Sequence, residues 1–225
     1  MYFVYGDTEV AHLTGRDKRL GAAMERIGPL HREVETDLFS SVLHHIVGQQ
    51  VSMAAQATVW GRVRALVGTV TPEAVCAHSE EELQALGMTY RKAGYILDFA
   101  RKVRDGDFDV EALAGMDDDA VCAALSSLRG IGVWTAEMLM TFCLQRPDVV
   151  SFGDLAILRG MRMLYGRKAI DRAAFDRYRK RYSPYGTVAS LYLWAIAGGA
   201  LPELTDPAPP KIKVKKTVEI ANAVK

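Results

Sequence analysis

Apolar residues recur every three to four positions along most of the chain, the period of helices that bury one face. Leu38, Phe39, Val42, Leu43 and Ile46 make the clearest stripe, and Thr36 can cap a helix running from Asp37 to Val47 before Gly48. Asp17 can cap another that stops near Ile27, at Gly28-Pro29. Ser52 starts a long run to about Val67, Thr71-Pro72 pairs a cap with a proline in the first turn, and Ser79 with Glu82 makes a capping box. Helical patterns also run from about Tyr90 to Val103, Asp117 to Ser127, Trp134 to Leu144, Asp154 to Tyr165, Asp171 to Arg181 and Pro184 to Ala197. Strand signals are few; Tyr2-Phe3-Val4-Tyr5 reads as a short extended segment packed on the body. About ten short helices with tight connections predict an all-α fold rather than a doubly wound sheet.

The chain has 225 residues, enough for one large domain or two closely packed lobes, and is 49% hydrophobic. No apolar run reaches the roughly 18 residues of a membrane span. The N-terminus lacks a basic segment followed by an apolar core, so a secretory signal is not expected there. Cys76, Cys122 and Cys143 are widely spaced and odd in number. They suit neither a disulfide framework nor a metal cluster, and a reducing cytoplasm is the expected compartment. From about Pro202 the sequence turns proline- and lysine-rich, which reads as a tail over 202–225.

A net charge of +1 announces no anionic partner, but the charges are segregated. Nine Arg or Lys stand against two acids between Arg159 and Arg181, and seven acids stand without a base between Asp105 and Asp119. One face for an anionic partner and another turned away would account for this, as would two unlike solvated faces.

Between two helical patterns lies Leu128-Arg-Gly130-Ile131-Gly132-Val-Trp134-Thr135-Ala136. Two glycines one residue apart permit a sharp hairpin with positive φ and remove side chains that would block another backbone. The next helix then aims free N–H groups outward, an arrangement that suits a phosphate. Alone, such a turn is more often just an ordinary tight connection. Asp154, about twenty residues on, reads alone as an ordinary helix cap.

Together these segments resemble the helix-hairpin-helix DNA glycosylases. Asp148-Val-Val-Ser-Phe-Gly-Asp154 is similar to the family's loop leading to its catalytic aspartate. Ile46-Val-Gly-Gln49-Gln50-Val51-Ser52, Tyr90-Arg-Lys-Ala-Gly-Tyr95 and Tyr182-Ser-Pro184-Tyr185 onward to Trp194 resemble the bacterial 3-methyladenine (alkylation-repair) branch. The likeness runs from about Asp7 to Gly199. The N-terminus is too short for the β-rich domain of longer members.

The resemblance implies two helical lobes with the hairpin at the cleft between them. Residues 1–201 would form the glycosylase domain, one lobe over roughly 33–145 and the other from the N- and C-terminal helices. It implies Asp154 as catalytic carboxylate, with Trp134, Met138 and Trp194 in the base pocket. Trp134 stands where bifunctional relatives carry a nucleophilic lysine, so water is the implied nucleophile. Met138 replaces a tyrosine of longer relatives, which leaves base selectivity open. Gln49, Gln50, Val51 and Ser52 would form the DNA-probing loop, with Gln50 where the family often has an apolar wedge. Gly130, Gly132 and Thr135 would bind the backbone. The Ser126, Leu128 and Ile131 carbonyls would be the place for a monovalent cation. No cysteine array follows Trp194, so no iron–sulfur cluster and no other cofactor is expected. His44 and His45 carry no assigned role. The implied activity is hydrolysis of the N-glycosidic bond of alkylated purines by a monomer acting on damaged duplex DNA. Another damaged purine as substrate, or a non-catalytic DNA-binding hairpin protein, would share most of these features.

Overall fold

The protein is described here by a computed structural model over residues 1–208. Twelve α-helices and one 3-10 turn make up the regular structure of these residues. They are α1 (Asp7–Arg16), α2 (Lys18–Ile27), α3 (Leu38–Gly48), α4 (Met53–Val67), α5 (Pro72–Cys76) and α6 (Glu80–Ala85). Then come α7 (Tyr90–Arg104), the 3-10 turn Ala112–Gly115, α8 (Asp118–Ser126) and α9 (Val133–Phe142). Last are α10 (Leu155–Tyr165), α11 (Arg172–Tyr182) and α12 (Gly186–Ala197). None is long and apolar enough to cross a membrane.

Side-chain caps start most of the helices. Asp17 Oδ1 accepts from the Arg19 and Leu20 amides, Ser52 Oγ from Ala55, and Thr71 Oγ1 from Ala74. Ser79 and Glu82 form the reciprocal box. At α3 the cap is Asp37, not Thr36: its Oδ1 accepts from the Ser40 amide at 3.2 Å. The helix α1 has no counterpart among the sequence patterns. Only Leu13 of its ten residues is buried, so it carries too thin an apolar stripe to announce itself. The N-terminal segment is extended, as expected: Tyr2 bridges Glu33, and Phe3 is buried.

Two apolar cores form. The first gathers α3 to α9, from Leu38 through Phe99 and Leu125 to Val149. The second gathers the N-terminal segment with α1, α2 and α10 to α12, from Phe3 through Met161 and Tyr192 to Leu201. The adjacent residues Val149 and Val150 belong to different cores, so the chain crosses between them inside the loop that leads to Asp154.

In the second core α10 lies close against α12 at Gly160. A Cβ there would stand 2.2 Å from the Leu193 carbonyl oxygen. Beside it, buried Asp17 accepts from Tyr165 Oη at 2.8 Å and Arg181 Nη1 at 3.1 Å, and so ties α2 to α10 and α11. Most of the expected tail lies outside the described residues, but its first part does not hang free. Leu204 packs on the second core, and Asp206 receives Arg162 through two bonds of 2.8 and 2.6 Å.

Five of the nine basic residues in the run pair within the protein. Arg159 and Arg162 face Asp206, Arg172 faces Asp176, Arg179 faces Asp148 and Arg181 faces Asp17. These five therefore give no support to a single anion-binding face.

Candidate active site

Asp154 is the N-cap of α10 and is only 7% exposed. Its Oδ1 accepts from the Ala156 and Ile157 amides at 2.8 and 2.9 Å, and its Oδ2 accepts from Trp134 Nε1 at 2.9 Å. All three partners are donors, the set that satisfies an acceptor-only carboxylate. The cap reading and the site reading therefore describe the same residue: Oδ1 holds the helix, and Oδ2 faces the cleft beside an indole.

The preceding loop is pinned to the start of α12. Asp148 Oδ2 accepts from Ser183 Oγ at 2.7 Å, and its Oδ1 accepts from the Gly186 amide at 3.0 Å. The Val149 amide donates to Thr187 Oγ1 at 2.9 Å, and Ser190 Oγ donates to the Val149 carbonyl at 2.8 Å. Gly186 must be small, because a Cβ would meet Asp148 Oδ1 at 2.6 Å. The hydroxyl-rich start of α12 thus fixes the crossing point that delivers Asp154. Behind it, Glu137 of α9 accepts from the buried Ser151 hydroxyl. Burial pushes the Glu137 carboxyl up, and the nearby Asp154 charge adds to the rise.

Asp154 opens onto a cavity of about 590 Å³, within the usual range for small-molecule sites. Trp134, Met138, Trp194 and Asp154 all line it, so the structure brings together the four residues expected in the pocket. Leu30, His31, Arg32, His45, Phe142, Leu191 and Ala195 complete the wall. The sequence reading passed over these. The apolar ones carry no chemical mark, and Leu30 to Arg32 reach the site from the far N-terminal part of the chain. Trp194 lies against Phe142, with centroids 5.3 Å apart, and the Arg32 guanidinium covers Phe142 at 4.9 Å.

At the hairpin the two glycines differ. Gly130 has φ +86°, and a Cβ there would meet the Tyr95 ring at 2.2 Å. Gly132 is the extended N-cap of α9 at φ −92°, so positive φ is needed at one glycine and not at both. Its open surroundings leave room for an approaching backbone. Thr135 is buried at 8%, which withdraws its side chain from the surface and leaves only its amide near the helix start. The Ser126 and Ile131 carbonyls accept no hydrogen bond among the described residues, and Leu128 O accepts from Ile131 N at 3.0 Å.

The loop after α3 is braced to this hairpin. Gln49 Nε2 donates to the Gly130 carbonyl at 2.6 Å, so Gln49 joins loop to hairpin rather than standing free. Lys92 of α7 donates to the Val47 and Gln49 carbonyls at 2.9 and 2.6 Å, and burial pushes its ammonium below the usual lysine range. Beyond the brace, Gln50 is exposed with φ +56°, a strained position for a side-chain-bearing residue, and Val51 is 45% exposed. Ser52 caps α4.

A hairpin with an open glycine at a helix start, a protruding loop braced to it, and a carboxylate in an aromatic cavity between two helical cores define a nucleic-acid-handling protein of the helix-hairpin-helix class. Residues 43–184 match the HhH-GPD superfamily of base excision DNA repair proteins, and the chain belongs to that family.

The chain is 26% identical over 208 residues to DNA-3-methyladenine glycosylase 1 of Schizosaccharomyces pombe, covering 89% of this chain and 90% of that protein. A crystal structure of a DNA-3-methyladenine glycosidase from Bacillus halodurans superposes with a TM-score of 0.82 at 37% identity, over 88% and 93% of the two chains. The S. pombe enzyme Mag1, solved with abasic DNA, shares the fold at a TM-score of 0.74 and 24% identity, over 88% of this chain and 99% of that one.

Proposed function

We propose that this chain is a monofunctional DNA glycosylase that flips an alkylated purine such as 3-methyladenine out of duplex DNA and hydrolyses its N-glycosidic bond. The observation that carries the reading is Asp154: a nearly buried carboxylate whose Oδ2 meets the Trp134 indole at the wall of an aromatic cavity roomy enough for a purine. The names of the relatives support it, and so does family membership. In this reading residues 1–201 act as one domain of two lobes.

Alkylation at a ring nitrogen leaves the purine cationic, so it departs neutral by taking the glycosidic electron pair and needs no proton donor. The sugar is left with positive charge, which the Asp154 carboxylate beside it stabilises. Water adds at the anomeric carbon and gives up its proton to Asp154 or to solvent. The faces of Trp134 and Trp194 attract the cationic base, each by about 0.5–2 kcal/mol. Trp134 Nε1 orients the carboxylate. The hairpin would bind a phosphate, and a monovalent cation at its carbonyls would neutralise charge there. Gln50 fills the gap left by the flipped nucleotide. The protein acts as a monomer on damaged duplex DNA, and its three free thiols suit a reducing compartment such as the cytoplasm.

No side-chain amine stands at the Trp134 position to form a Schiff base. Incubation with methylated duplex and borohydride is therefore expected to yield abasic sites and no covalent protein–DNA adduct. A trapped adduct would refute hydrolysis by water. The brace makes a second prediction. Lys92→Met is expected to weaken binding to an abasic duplex about tenfold through the loosened loop, with a melting temperature only a few degrees lower. Unchanged affinity would remove the loop from the interface.

A further inference from the structure

We infer that His45 reads the group at the six position of the flipped purine and thereby favours alkylated adenine over alkylated guanine. The inference rests on the glycosylase reading and deepens it by naming the base.

His45 lies in the last turn of α3, with its ring on the wall of the cavity that holds Asp154, Trp134 and Met138. Its Nδ1 is 2.8 Å from the Ser41 carbonyl oxygen, one helical turn back. A carbonyl only accepts, so Nδ1 carries the hydrogen. In the neutral ring, Nε2 is then left with a lone pair. Burial pushes the imidazolium below the ordinary histidine range, and that keeps this acceptor form at neutral pH. The ring is not free to change roles, because the helix fixes its hydrogen-bonded edge.

Much of the cavity wall around it offers no competing acceptor. Leu30, Met138, Phe142, Leu191 and Ala195 are apolar or weakly polar, the Trp134 indole N–H is committed to Asp154, and the Arg32 guanidinium lies over Phe142; the other polar groups of the wall are His31 and the Asp154 carboxylate itself. A purine in this cavity therefore meets a fixed neutral acceptor on the α3 side of the wall. Adenine carries an amino donor at its six position, and guanine carries a carbonyl acceptor there. The first pairs with Nε2, and the second sets two lone pairs against each other. A site built around a hydrogen bond discriminates more strongly than a hydrophobic fit, because the wrong partner leaves a polar group unpaired.

The test is single-turnover excision from duplexes carrying 3-methyladenine or 7-methylguanine, by the wild type, His45→Ala and His45→Gln, with abasic-duplex affinity measured alongside. The alanine variant is expected to lose about tenfold in 3-methyladenine excision and less than threefold for 7-methylguanine. Glutamine, which can present an amide oxygen near the Nε2 position, is expected to recover most of the ratio. Abasic-duplex affinity should stay within about twofold, since the residue touches base rather than backbone. An equal fall for both bases, or an unchanged ratio, overturns the role of His45 while leaving the glycosylase reading intact. A wild type that excises neither base overturns both.

Discussion

Asp154→Asn is expected to keep its fold and its grip on abasic DNA while losing excision by about 10³-fold. Asparagine is as good an N-cap as aspartate, so the bonds from the Ala156 and Ile157 amides survive and α10 still starts at Leu155. What disappears is the negative charge at Oδ2. With the amide oxygen committed to the helix, its NH2 group faces the Trp134 N–H, a donor against a donor. The sugar cation then has no counter-charge in the cleft. DNA affinity is retained or rises, because a negative charge near phosphates has gone. Melting temperature and abasic-duplex affinity separate this outcome from unfolding. Near-normal base release by the variant would remove Asp154 from the chemistry.

The second large effect is at Gly160. Gly160→Ala places a methyl group 2.2 Å from the Leu193 carbonyl oxygen, a backbone atom that cannot swing aside. The helices α10 and α12 must part, and overpacking of this kind costs about 3 kcal/mol. In a chain of this size the melting temperature should fall by about 6–12 °C. The consequence reaches the site, because α10 begins at the cap Asp154 and Leu193 precedes Trp194. Parting the helices moves the carboxylate away from the aromatic wall. Excision should therefore fall even well below the melting temperature, whereas a mutation that only lowered stability would leave it intact there. A melting temperature within about 2 °C of the wild type would contradict the close packing.

Much of the fold is legible because capping is local chemistry. Asp17, Ser52, Thr71 and Ser79 mark their helices within three residues of sequence. Where two caps compete side by side, as Thr36 and Asp37 do, sequence does not choose between them. The helix α1 was hidden because Leu13 is its one buried residue, and the rest of its hold on the body, such as the His12 bond to the Ser183 carbonyl, leaves no periodic mark. The hairpin glycines look alike in sequence yet differ in backbone. Only Gly130 turns with positive φ, while Gly132 leaves space at a helix start.

The site divides the same way. Asp154 and Trp134 stand out by residue type and spacing, but the bond between them spans twenty positions and needs the fold. Gln49 reads as a DNA contact in sequence, and the structure turns it inward to the Gly130 carbonyl. Thr135 reads as a phosphate ligand and lies in the core. The pocket wall draws on five separate stretches of chain, which only the fold brings together. His45 sits beside a strong apolar stripe, and its place in the cavity follows only once α3 is set against α9.

The decisive experiment incubates the wild-type protein with methylated duplex DNA and identifies the released bases by chromatography. Free 3-methyladenine is expected in amounts that grow with enzyme and time, leaving abasic sites in an otherwise intact backbone. Binding to the same DNA without release of any alkylated base would contradict the glycosylase reading.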